Sequence, residues 1–145
     1  MRHRVKKIKF NFGHDANKQL LRKLAVNFLA NGRLQTTLSK AKVLKPHLER
    51  LVTKMKTRNE ANKNYLLRYL GDYKTVVDGF DRVGPALSKI NGGYVRIVKL
   101  GPRNDDGAPL AKIEWVYPVV KESAPLKVKA EKKNNEKPDK TNKTS

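Results

Sequence analysis

Five of the first nine residues, Arg2, Arg4, Lys6, Lys7 and Lys9, are cations set among single apolar residues, and Phe10 and Phe12 follow them. Such a stretch can neutralise phosphate oxygens, which releases counterions, and can stack unpaired bases on its rings. His3 shares the segment. Phe10 and Phe12 have a second option, to pin the arm to its own domain. No apolar block of roughly 7 to 15 residues follows the basic start, and residues 1–30 contain no serine, so neither a secretory signal nor a transit peptide is expected. The segment reads either as a disordered solubilising arm or as an arm, flexible in the free protein, that is fixed on a polyanion; the charge of the chain, below, favours the second.

Catalytic chemistry needs convergent groups, and none assemble. His3, His14 and His47 lack partners at metal-ligand spacing, and there is no cysteine to act as nucleophile, thiolate ligand or disulfide. Asp105 and Asp106 are adjacent in a loop but lack the alternating oxygens of a calcium site, so they read as turn formers. Gly92-Gly93 has neither the Walker lysine nor the dinucleotide spacing and reads as a turn of positive φ before a strand. No enzyme, cofactor, metal or small-molecule substrate is expected.

The charge selects the partner. There are 33 Lys+Arg against 13 Asp+Glu, a formal net charge of +20 and a pI near 10.3, which opposes compaction of the isolated chain and favours a polyanion. The excess is uneven: residues 1–58 carry net +14, residues 59–120 net +2 and residues 121–145 net +4. A general solubility effect would spread more evenly. No apolar run approaches the roughly 20 residues that cross a bilayer, so no membrane partner is expected.

The elements that position these cations follow from periodicity. HDANKQLLRKLAVNFLANG reads as a helix capped by Asp15 or Asn17, with Leu20, Leu21, Leu24, Ala25 and Phe28 on one face and a stop at Asn31-Gly32. RLQTTL reads as a short half-buried strand. Ser39 is positioned to cap a second helix with the stripe Leu44, Leu48, Leu51, Val52 and Met55, which Pro46 kinks or restarts. A third helix carries Tyr65, Leu66, Tyr69 and Leu70, read as packing, and stops at Gly71. A short helical turn around Val76, Val77 and Phe80 must end at Gly84-Pro85. YVRIVKL (94–100) and LAKIEWVY (110–117) read as an antiparallel strand pair joined by a nine-residue loop, the second with Ala111, Ile113, Trp115 and Tyr117 on one face. The segment after Pro118 offers too little apolar surface to offset the entropy of ordering and is expected to be disordered.

On this framework Lys18, Arg22, Arg33, Lys40, Lys42, Arg50 and Lys54 flank apolar stripes with few local acids and are the expected phosphate contacts. Arg96, Lys99 and Arg103 form a second expected patch.

Several motifs occur in order: the Met-Arg-His-Arg start, Leu20-Leu21-Arg22, Thr36-Thr37-Leu38 with Lys40-Ala41-Lys42 and Pro46, then Asn91-Gly92-Gly93-Tyr94, Arg96-Ile97 and Lys99-Leu100-Gly101-Pro102-Arg103. Together, from Met1 to about Val116, they resemble the family of the seventeenth protein of the bacterial large ribosomal subunit. One stretch departs from the family: NFGHDANK carries Phe12, Ala16 and Asn17 where Arg, His and Arg are common. The resemblance implies an α+β fold with a small mixed sheet and has no counterpart for the tail beyond about Tyr117. Joined to the residue patterns above, it gives the expected organisation: several helices packed on a small mixed three-stranded sheet, with a basic extended arm at 1–14, a single domain at 15–120 and a lysine-rich disordered tail at 121–145. The resemblance also implies no enzymatic activity, large-subunit rRNA and neighbouring large-subunit proteins as partners, and a site near the exit of the nascent-chain tunnel. The expected location is a cytoplasmic ribosome rather than an organellar one. The competing reading is a free basic nucleic-acid-binding protein, chromatin-like or regulatory.

Overall fold

The computed structural model describes residue 10 and residues 13–119. The arm residues Arg2, His3, Arg4, Lys6, Lys7, Lys9 and Phe12 lie outside the described residues, as does the tail from residue 121.

Helix α1 spans His14–Asn31, and its first turn is reached through Gly13, not through a side-chain cap. Neither Asp15 nor Asn17 caps it. The turn at Gly13 starts the helix too early for them, so Asp15 sits in the first turn, where a negative charge suits the helix dipole. Asn17 instead donates from Nδ2 to the Phe10 carbonyl at 3.1 Å. The helix buries Ala25, Phe28 and Leu29, and the Gly32 N–H closes it on the Phe28 carbonyl.

Strand β1, Arg33–Thr37, passes directly into α2, Leu38–Met55. Ser39 therefore lies within the helix rather than capping it, and Thr37 occupies the boundary with extended φ and ψ. Ala41, Leu44, Leu48, Leu51, Val52 and Met55 are buried, the expected stripe with Ala41 added. The helix continues through Pro46, whose ring faces solvent, at the loss of one backbone hydrogen bond.

Helix α3, Glu60–Leu70, begins at Asn59, whose side chain accepts from the Asn62 N–H at 2.7 Å. It ends at Gly71, where φ is 71° and a side chain would be strained. Leu66 and Leu70 are buried, whereas Tyr69 is 44% exposed, so only part of the tyrosine pair packs as expected. Helix α4, Tyr73–Asp78, is capped by Asp72, which accepts from the Lys74 and Thr75 N–H groups. The chain then stays helical where a stop at Gly84-Pro85 was expected, running through a π-helical turn, Gly79–Val83, into a last turn, Gly84–Ala86. Pro85 falls in the first turn of that last piece, where no N–H is needed.

Strands β2, Val95–Pro102, and β3, Pro109–Trp115, complete a three-stranded sheet in the order β1-β3-β2. The sheet is antiparallel throughout, not mixed. The reason is topological: β1 and β2 run in the same direction, but β3 lies between them, so no parallel pair forms. Tyr117 falls beyond the end of β3 and is exposed, so it does not extend the inward face. That face carries Leu34, Ala111, Ile113, Val95, Ile97 and Trp115 into the helical layer, where Trp115 lies 4.7 Å from the Phe28 ring. The other face presents Arg33, Gln35, Lys112, Glu114, Arg96 and Val98 outward. The result is an α+β fold, helices on one side of an antiparallel sheet.

Candidate nucleic-acid interface

Because the apolar stripe of α2 is spent on the core, its cations must face out. Lys42, Arg50 and Lys54 are exposed and Lys40 is half-buried, while Lys18 on α1 and Arg33 on β1 are exposed. Among the described residues, none of these six has an acidic partner within 4.0 Å. The two acids of this half lie against other groups. Asp15 lies 3.4 Å from His14, and Glu49 accepts from the Tyr94 and Val95 N–H groups at 3.3 Å each, tying α2 to the start of β2.

The later part of the chain behaves differently. Arg58 pairs with Asp81 at 2.8 Å, Arg82 with Asp78, and Lys63 with Glu60. In the expected second patch, Arg96 and Lys112 both bind Glu114, at 2.7 and 2.6 Å, and Arg103 binds Asp106 at 2.5 Å. Glu114 is held below the usual carboxylate range by those hydrogen bonds, and Asp106 is held at about 2, chiefly by the Arg103 side chain. Such exposed pairs contribute little to stability but reduce the free positive charge. Of this patch, Lys99 alone has no acidic partner among the described residues.

Arg22 has a structural task. Its Nη2 donates to the Arg68 carbonyl at 2.9 Å and its Nε to the Tyr69 carbonyl at 3.2 Å, satisfying acceptors left open at the end of α3. The structure thereby gathers Lys18 and Arg22 of α1, His47 of α2, and Arg68 and Tyr69 of α3 around one cavity of about 270 Å³. Tyr69 stacks at 4.6 Å on Tyr65, and Lys54 Nζ sits 5.8 Å from the Tyr65 ring. Arg50, Lys54 and Tyr65 line a neighbouring cavity with Asn91 and Gly92. Arg33 lies apart, beside Gln35 and Lys112 at the sheet, and Phe10 lies near the start of α1, half-buried.

Three residues of this surface escape a reading of sequence alone: His47, Arg68 and Tyr69. The available signal was that Leu66 and Leu70 share the spacing of Tyr65 and Tyr69, and one helix cannot centre both pairs on the core. Burial, and then the charge of Arg50, lower the affinity of His47 for its proton, which favours the neutral imidazole. Burial raises Tyr65 above the usual phenol value, as does hydrogen bonding to Tyr69. Among the described residues there is no group of three His, Asp or Glu placed to hold a metal, and no helix long and apolar enough to cross a membrane.

Residues 20–116 match the sequence profile of the ribosomal protein L17 family. The chain is 41% identical over 116 residues to the large ribosomal subunit protein bL17 of Thermomicrobium roseum, covering 80% of this chain and 99% of that protein. It is 40% identical to the bL17 of Rickettsia bellii, over 80% of this chain and 82% of that one. The bL17 of Natranaerobius thermophilus is 39% identical over 77% of this chain and 96% of its own length. With a profile match over most of its length and relatives of this similarity, the chain belongs to the ribosomal protein L17 family.

Proposed function

We propose that the chain is anchored in the large ribosomal subunit by direct binding of rRNA through the α1, β1 and α2 surface together with the arm at 1–14. Family membership makes it a structural constituent of the large subunit, bound to the ribosome, and not an enzyme. The observation that carries the finer reading is the separation of charge among the described residues: Lys18, Arg33, Lys40, Lys42, Arg50 and Lys54 lack acidic partners there, while Arg82, Arg96, Arg103 and Lys112 of the later part are paired. Unpaired cations on a rigid surface are what a phosphate backbone needs, since each neutralised phosphate releases condensed counterions. Arg96, Lys99 and Arg103 join as a weaker patch that must exchange carboxylates for phosphates. The family resemblance supports a place near the exit of the nascent-chain tunnel, among neighbouring large-subunit proteins on cytoplasmic ribosomes.

Co-sedimentation tests the reading. The full chain should travel with intact large subunits in a sucrose gradient and bind transcribed large-subunit rRNA with a steep salt dependence. A protein that stays at the top of the gradient while large subunits lack it is a free nucleic-acid binder.

A further inference from the structure

We propose that the cavity between α1, α2 and α3 receives one unstacked base of RNA, seated against Tyr69 with its phosphates held by Lys18 and Arg68. This seat presupposes that the chain binds rRNA and adds to that reading a place and a chemistry. The floor of the cavity is apolar, made by Leu21, Ala25 and Leu51, and its wall includes a tyrosine that is 44% exposed. A solvated surface has no need of an exposed ring over an apolar floor, whereas a base has an apolar face that every nucleotide shares. The rim is cationic, and among the described residues no Asp or Glu lines the cavity. An acidic lining would repel the phosphates on either side of an inserted base.

Size points the same way. At about 270 Å³ the cavity falls just below the range of about 300–1,000 Å³ for small-molecule sites, enough for one flat ring system and its sugar edge. The walls are also set in advance. Arg22 locks α1 to the end of α3 through two carbonyls, and Tyr65 backs the Tyr69 ring at 4.6 Å. Little ordering is then left for the protein to do on binding. His47 lines the cavity as well, and in the neutral form that its burial favours it offers one donor and one acceptor to a base edge. Folded RNA supplies the occupant, because its loops and bulges splay single bases outward.

The test measures binding of the full chain to transcribed large-subunit rRNA across a salt series. Tyr69→Ala should weaken binding about 5- to 150-fold, the worth of one base–aromatic stack, with an unchanged slope of log K against log salt. Tyr69→Phe, which keeps the ring, should return most of that loss. Leu21→Trp, which fills the cavity from α1 and leaves Tyr69 in place, should weaken binding comparably, with folding of each variant checked by its thermal midpoint. Parental affinity in both Tyr69→Ala and Leu21→Trp overturns the base seat. So does a loss accompanied by a slope smaller by about 0.7 or more, which would mean a lost phosphate contact. Retained rRNA affinity with reduced incorporation into subunits would assign the cavity to a protein segment and likewise overturn it. Arg50→Glu with Lys54→Glu in the same assay judges rRNA binding separately: a loss there, with none at Tyr69, leaves that reading standing.

Discussion

The backbone of Gly84 lies against the carbonyl of Met55, so closely that a Cβ on Gly84 would stand 2.4 Å from that oxygen. Gly79, one turn earlier, meets Met55 as well, but through the Cε of its side chain at 2.8 Å. The two contacts differ in what can yield. A methionine side chain re-rotamers, whereas the carbonyl belongs to the last turn of α2. Gly84→Ala is therefore expected to destabilise the fold by about 1–3 kcal/mol and Gly79→Ala by less. Calorimetry should show a drop of about 4–8 °C in Tm per kcal/mol. Equal midpoints for the two variants would mean that α2 moves as easily as a side chain does.

Arg22 separates fork from charge. Its two bonds to the Arg68 and Tyr69 carbonyls require a planar donor with two outlets, which lysine lacks. Arg22→Lys and Arg22→Ala should both lower stability by about 1 kcal/mol, the net worth of such hydrogen bonds. If Arg22→Lys melted with the parent, the positive charge and not the guanidinium geometry would be what α3 needs.

Much of this was legible in the residues, and the missing parts share a cause. The stripe of α2 and the stop at Gly71 follow from short-range rules, spacing of 3 and 4 and a glycine after the last turn. Sheet order does not, because Thr37 pairs with Leu110 across most of the domain, and no local rule reports which strand will lie between two others. The helices start at Gly13 and Thr37 instead of Asp15 and Ser39, because a positive-φ glycine turn and a strand feeding straight into a helix set where each begins, and neither start carries a side-chain cap. The cationic residues of the proposed interface were visible as types. Which of them are free was not, because Arg96 and Arg22 are occupied by groups 18 and 46 to 47 residues away.

The acid side of the stability profile should carry the mark of the Arg103–Asp106 pair. Asp106 is held at about 2, below its ordinary 3.8, so its contribution to stability is complete above about pH 4 and is lost as pH falls toward 2. Asp72 and Glu114 are shifted in the same direction. NMR titration of the Asp106 carboxyl should give a midpoint near 2, moving up toward 3.8 in Arg103→Ala. A midpoint that stayed put in that variant would assign the shift to the Ala108 N–H instead, which also bonds Asp106 Oδ1 at 3.1 Å.

Charge reversal should divide the surface. Arg50→Glu and Lys54→Glu, on the unpaired side of α2, are each expected to lower rRNA affinity and flatten its salt dependence. Lys74→Glu, in the stretch 72–81 where three aspartates outnumber this one lysine, should do far less. Removing residues 1–12 should leave the thermal midpoint in place but make the shortened chain lose to the full chain in competitive subunit assembly. Equal incorporation of the two would take the arm out of the binding surface.

The segment from Lys121 to Ser145 sets the opposite expectation. It has eight lysines against four acids, net +4 over 25 residues, and no aromatic residue to stack on a base. Lysines interspersed with acids track phosphates weakly, so removal of residues 121–145 should leave the salt dependence of rRNA binding almost unchanged. Each neutralised phosphate adds about 0.7–0.9 to the slope of log K against log salt, which makes the slope a count of contacts. A decrease of about 3 or more on removing the tail would mean that several phosphates had been lost. The tail would then rank with the α2 surface as an RNA-binding element, and the charge excess of the first 58 residues would no longer account for binding alone.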